Sequence, residues 1–331
     1  LMNEDEWQAQ WIAPLLGGPG APLLRKHFDS EGQIKQAKVF VCGLGYFELY
    51  VNGERIGDDY LVPNMTDYTK RFDLEKGPIA ISGNMSRHRV MYLAYDITKQ
   101  IQEGRNALGV ILGNGFYDAV NLNIPCSKFG DECLRLQLQL TYADGTTQTV
   151  ISDNTWETKP SAITLNGVHA GEIYNANLET PLWATTEDNS QGWQRVKCIE
   201  GPTGMMTAHT APTDKIVESL KPISLHQRED GAWVVDFGKE ISGWLHLHDL
   251  KGEKGDTVKV DYISESVQGN MRYVMNGSGS EEYAPRFTWF AFSKAVISGV
   301  KELSMKNLTA DVVNTHVEKT ADFHTTDTLF N

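Results

Sequence analysis

Val41-Cys42-Gly43-Leu44-Gly45-Tyr46-Phe47-Glu48-Leu49-Tyr50-Val51-Asn52-Gly53-Glu54-Arg55-Ile56-Gly57 decides the fold class. Phe47, Leu49 and Val51 alternate with Glu48 and Tyr50, so an extended segment here has one apolar face. The run ends in Asn52-Gly53, a pair that takes positive φ readily, as a two-residue hairpin turn requires. The stretch therefore predicts a half-buried strand folding back on its partner. The pattern repeats downstream, where Leu134, Leu136, Leu138, Leu140 and Tyr142 keep one parity and Asp144-Gly145 turns the chain into Thr146 to Ile151. That hairpin is expected to have one wet face. Leu245 and Leu247 alternate with His246 and His248, and Val258 and Val260 with Lys259 and Asp261; the loop Lys251 to Asp256 lies between, predicting a second meander. One short helix is expected over Asp96 to Glu103, with Asp96 as N-cap, Ile97 and Ile101 four apart, and Gly104 where a left-handed C-terminal residue belongs. Many short strands with few helices argue for an all-β chain of two antiparallel β-sandwiches.

A chain of 331 residues exceeds the usual size of one domain, so two cores are expected. The texture changes between Thr180-Pro181 and Pro212-Thr213, which is polar and rich in Pro and Gly. The boundary is placed near residues 205 to 215, giving units 1–205 and 206–320 and a remainder 321–331. Thirty basic against 43 acidic residues leave a formal charge of −13, which repels phosphate backbones and anionic lipid and argues against nucleic acid and membrane as partners. Cys42, Cys126, Cys133 and Cys198 lack metal-ligand spacing; Cys42 reads as a buried thiol, and a Cys126–Cys133 disulfide stays open. Leu1 to Glu6 is acidic where a secretion signal is basic and then apolar, and the compartment stays open, with periplasm or exterior ahead of cytoplasm.

The opening stretch continues through Leu61-Val62-Pro63-Asn64-Met65-Thr66-Asp67-Tyr68, Tyr95-Asp96-Ile97-Thr98, Gly104 to Val110 and Leu112-Gly113-Asn114-Gly115-Phe116-Tyr117. The second half carries Val234 to Trp244 (Val-Val-Asp-Phe-Gly-Lys-Glu-Ile-Ser-Gly-Trp) and Tyr283-Ala284-Pro285-Arg286-Phe287-Thr288. In this order and spacing the words closely resemble the bacterial α-L-rhamnosidases of glycoside hydrolase family 78. The resemblance implies a jelly-roll or galactose-binding-like sandwich followed by a concanavalin-like one. It also implies a parent enzyme that removes terminal α-L-rhamnose with inversion, and therefore two partners, a rhamnose-containing carbohydrate and the enzyme's own catalytic helical barrel. In the family both catalytic acids sit in that barrel, near a motif of the type Asp-Cys-Pro-x-Arg-x-Glu. No such string occurs here, and Thr315 to Phe323 resembles the lead-in to the barrel, so residues 321–331 are expected to be its start and no catalytic residue is expected in this chain. Two departures stand out: Phe72 to Arg89 reads as an inserted surface loop, and Trp289-Phe290-Ala291-Phe292-Ser293-Lys294 replaces a segment that is usually more polar.

Sugar sites pair an aromatic face with carboxylates and amides that bond vicinal hydroxyls. Asn64, Asp67, Tyr68, Asn114, Phe116, Tyr117 and Asp118 supply those types; alternatively they fix their loops by local hydrogen bonds and packing. Some members of the family use the first sandwich as a calcium-dependent rhamnose module, which would draw oxygen ligands from Asp58 and Asp59 with Asn121 or Asn123. Otherwise no cofactor is expected. His246 and His248 share a strand face and could hold zinc with a third ligand, although such pairs are also ordinary on a wet face. The competing reading of the whole chain is a free-standing lectin-like sandwich protein.

Overall fold

The computed structural model describes residues 1–15, 17–69, 88–118, 128–168, 170–187, 191–264 and 269–330. The opening stretch forms the strand Tyr46–Val51, which turns through Asn52 (φ 50°) and Gly53 (φ 90°) into Glu54–Ile56, pairing Val51 with Glu54. Both turn residues are left-handed, as the Asn-Gly pair requires.

Among the described residues, the first sandwich packs a seven-stranded sheet on a six-stranded one. In the former, Ile34–Leu44 lies between Arg89–Asp96 and Cys133–Tyr142; in the latter, Gly104–Gly113 lies between Pro22–Ser30 and Tyr46–Val51. Val39, Val41, Leu136 and Leu138 from one sheet meet Leu49, Val110 and Leu112 from the other, all at most 1% exposed. The Cys133–Tyr142 strand pairs with Thr147–Ile151 around Gly145 (φ +87°), and Leu134, Leu136, Leu138 and Leu140 are fully buried. Its expected wet face is partly covered. Gln137 is 1% exposed, its Oε1 accepting from the backbone N–H of Gln8 (2.7 Å), and Arg135 lies over the Trp7 ring at 5.0 Å. The N-terminal segment supplies this cover, and nothing in the period-two pattern of the strand itself reveals it.

Among the described residues, the second sandwich is one ten-stranded sheet that closes on a core including Val235, Trp244, Leu247, Val260, Phe292 and Ile297. Its spine is the 18-residue strand Trp233–Leu250, which pairs in its first half with Ser224–Gln227 and in its second with Leu308–Thr315 and Glu281–Tyr283. Phe290–Ser298 runs beside it, with an irregularity between Asp236 and Ile241. Such a bulge re-aims a long strand so that it can serve two faces. Pairing is antiparallel apart from Gly171–Asn175 on Asn270–Val274 and Met205–Ala208 on Arg89–Asp96, among the described residues.

Two expectations are corrected. Asp96 to Glu103 is not a helix: the strand Arg89–Asp96 runs to Asp96, whose Oδ1 accepts from the Thr98 N–H (3.0 Å), and the chain makes one turn before Gly104 (φ +83°). Ile97 and Ile101 are both buried, so their spacing reflects a buried corner between two strands. The runs around Leu245 and Val258 are not a meander either, because Phe290–Ser298 lies between them. Cys42 and Cys133 are buried free thiols, while Cys126 and the Phe72 to Arg89 loop as far as residue 87 lie outside the described residues.

Ile163–Gly167 and Gly171–Asn175, within the span expected for the first unit, hydrogen-bond into the ten-stranded sheet. The two sandwiches are thereby stitched together, and an apolar cluster of Tyr46, Leu61, Ile111, Ile163 and Phe287 fills the seam. Gly113 is required there: any Cβ would overlap the Phe287 ring.

Candidate functional site

A cleft of about 370 Å³ opens along this seam. The first sandwich contributes Tyr46, Asn64 and Phe116, and the second contributes Asp214, Trp289 and Thr315. Phe116 is carried on the turn that follows Gly104–Gly113, which is closed by the Asp118 N–H donating to the Asn114 carbonyl at 3.1 Å. Trp289 immediately precedes Phe290–Ser298. The Thr315 hydroxyl donates to Asp214 Oδ1 at 2.8 Å, and the Tyr60 N–H donates to the Asp214 carbonyl at 2.9 Å, so Asp214 is fixed from both sandwiches. Phe116 and Trp289 are half-buried, Asn64 and Thr315 exposed. Aromatic faces beside carboxylate, amide and hydroxyl groups are what a pyranose ring requires.

A charge network centred on the buried Glu48 also spans the seam. Glu48 accepts from Arg286 Nη1 (2.5 Å) and the Tyr50 hydroxyl (2.8 Å), and Arg55 Nε lies 3.3 Å from its other oxygen. Burial pushes the Glu48 carboxyl upward, but Arg286 and Arg55 outweigh it and hold it below the usual carboxylate range. Glu172 is fully buried and accepts the backbone N–H of Arg286 (3.1 Å) and the Tyr283 hydroxyl (3.0 Å); burial prevails there and pushes its carboxyl up to about 7. Both carboxylates are committed to holding the seam.

The seven sequence-derived sugar candidates separate. Asn64 and Phe116 line the cleft. Tyr68 and Tyr117 are buried in an aromatic cluster with Phe129, their rings edge to face at 5.0 Å. Asn114 is fully buried, its backbone N–H donating to Asn166 Oδ1 at 2.8 Å. Asp67 accepts from the Arg89 N–H (3.1 Å) and pairs with His88 (2.8 Å), and Asp118 pairs with Lys128 (3.0 Å). Of the calcium candidates, Asp58 pairs with Lys215 at 2.6 Å, and Asp59 accepts from the Tyr95 hydroxyl (3.0 Å) and from Thr213. Asn121 and Asn123 lie outside the described residues. Sequence reasoning does not reach Trp289, Asp214 and Thr315 as site residues; its one hint is that Trp289 opens a segment less polar than its usual counterpart in the family.

Two β-sandwiches in series, with a cleft at their seam, make this a two-sandwich all-β chain. Residues 32–79 and 83–218 match the alpha-L-rhamnosidase N-terminal domain, and residues 226–314 match the bacterial alpha-L-rhamnosidase concanavalin-like domain. The chain belongs to the bacterial α-L-rhamnosidase family. It is 31% identical to an α-L-rhamnosidase of Formosa agariphila and 26% identical to one of Streptomyces avermitilis, covering 100% and 99% of this chain. It spans only 38% and 33% of the length of those relatives. Among solved structures, α-L-rhamnosidase from Dictyoglumus thermophilum superposes with a TM-score of 0.88 at 31% identity, over all of this chain and 38% of that one. The Streptomyces avermitilis enzyme complexed with L-rhamnose gives 0.81 at 26% identity, over 94% of this chain and 30% of that one.

Proposed function

We propose that this chain is the accessory portion of an α-L-rhamnosidase, with no catalytic role of its own, and that it supports the catalytic barrel and presents the seam cleft to a rhamnose-containing carbohydrate. The observation that carries the reading is the pair of adjoining rhamnosidase domain matches in a chain that spans only 38% and 33% of the relatives it matches. Inverting hydrolysis needs an acid and a base carboxyl roughly 6.5 to 9.5 Å apart across a sugar-holding pocket. Glu48 and Glu172 are occupied by Arg286 and its neighbours, and Asp214 is the one carboxylate among the described residues that line the cleft, so no second carboxyl faces it there. Asp214, Phe116 and Trp289 instead offer a shallow surface suited to one ring.

The test is a chromogenic α-L-rhamnoside assay on this chain alone and on the protein extended through a catalytic barrel. Turnover by the extended protein and none by the chain is expected. Turnover by the chain alone, or an extended protein that cleaves other glycosides but no rhamnoside, contradicts the proposal.

A further inference from the structure

We propose that His246, His248 and Glu282 form a zinc site on the outer face of the second sandwich, where the structure brings their donor atoms together. The site is independent of the seam cleft and of the reading above.

Leu245 and Leu247 point into the core, so His246 and His248, one residue off in parity, share the outer face of the long strand. Their rings lie 4.0 Å apart. Glu282 comes from Glu281–Tyr283, the short strand beside them. Its Oε1 lies 2.7 Å from His246 Nε2 and 3.3 Å from His248 Nδ1, and the donor atoms of all three residues fall within 4.8 Å of one another. Zinc–ligand bonds of about 2.0–2.1 Å in a tetrahedron put neighbouring donors about 3.3 Å apart. Of the three spacings, Glu282 to His248 already matches, Glu282 to His246 must open by roughly half an ångström, and the two imidazole nitrogens lie within 4.8 Å of each other. Glu282 is exposed enough to do so, at 64% for its side chain.

The supporting contacts are also those of a metal centre. A ligating histidine is normally oriented by a hydrogen bond at its other ring nitrogen, often to a carboxylate. His246 Nδ1 lies 3.1 Å from Asp311 Oδ2, and Asp311 is in turn held by the Ser219 hydroxyl at 2.6 Å. His248 Nε2 lies 2.8 Å from Thr309 Oγ1. With both inner nitrogens engaged, Nε2 of His246 and Nδ1 of His248 are the two that face Glu282. A dication at this point would take the place of the imidazole–carboxylate contact. Two imidazoles and one carboxylate with a solvent-open fourth position suit zinc better than calcium or magnesium, which prefer all-oxygen shells. The ion would clamp Glu281–Tyr283 to the long strand.

The test uses the tag-free chain, stripped with a chelator and titrated with Zn²⁺ against a chromophoric competitor, with Co²⁺ substitution to read the coordination geometry. One equivalent bound with a dissociation constant of about a micromolar or tighter is expected, with a tetrahedral Co²⁺ spectrum. His246→Ala and His248→Ala should each weaken binding at least tenfold, as should the exposed variant Glu282→Ala, and Asp311→Asn by about tenfold. Circular dichroism confirms that each variant is folded. Binding weaker than about 100 μM, or affinity unchanged in the folded histidine and Glu282 variants, overturns the assignment.

Discussion

Arg286 Nη1 of the second sandwich lies 2.5 Å from Glu48 Oε2 of the first, a charged hydrogen bond across the seam. Glu48 is 6% exposed and has Arg55 and Tyr50 as further partners. Removing one member of a buried pair leaves the other charge uncompensated, which costs more than the pair contributes as a whole. Arg286→Met is expected to destabilise the protein by about 2 kcal/mol, discounted because about a third of the Arg286 side chain still reaches solvent. Glu48→Gln should cost a similar amount. The double variant should cost less than the sum, with a coupling above about 1 kcal/mol in a urea double-mutant cycle. Strict additivity would show that the seam does not depend on this pair.

Glu172 sets a pH dependence of definite sign. Its folded carboxyl is pushed up to about 7 from an ordinary 4.5, so the folded state binds the proton more tightly than the unfolded one. The stability contributed by that proton is fully present below the unfolded value and is lost as pH rises through about 7. The stability difference between the protein and Glu172→Gln should therefore shift by roughly 2–3 kcal/mol between pH 5 and pH 8, against the native Glu at the alkaline end. Urea midpoints at four pH values measure it. Parallel curves would mean that the Tyr283 and backbone donors keep Glu172 ionised throughout.

Gly171 tests the strand exchange that joins the two units. Its φ of +82° is left-handed, and a Cβ there would overlap the Asn270 carbonyl oxygen. Gly171→Ala should cost more than about 2 kcal/mol and should lower amide protection first along Glu172 to Asn175, which pair with Met271 to Val274. Uniform loss of protection across both sandwiches would place the weak point elsewhere.

How much of this was legible in the sequence depended on whether the cause was local. Asn52-Gly53 and Asp144-Gly145 fix their turns through their own backbone freedom, so both hairpins follow from the sequence. The Asp96 to Glu103 segment misled because Ile97 and Ile101, four apart, are buried for a tertiary reason. Alternation around Leu245 and Val258 gave the buried face of each strand but not its neighbour, since Phe290–Ser298 arrives from 27 or more residues downstream. The cleft was half legible: Asn64 and Phe116 sit in loops that looked sugar-like. Trp289 and Asp214 join them only because Ile163 to Asn175 crosses between sheets and sets one sandwich against the other.

Whether the seam cleft binds carbohydrate is read by a heteronuclear NMR titration of the chain with L-rhamnose, with and without calcium. The Trp289 indole and the amides around Asn64 and Phe116 should shift together, with a dissociation constant on the order of millimolar, corresponding to about 4 kcal/mol. Trp289→Ala and Phe116→Ala should abolish the shifts while leaving the fold intact. No shift at tens of millimolar rhamnose, or shifts confined to Asp67, Tyr68 and Tyr117 and unaltered by both variants, would contradict the account.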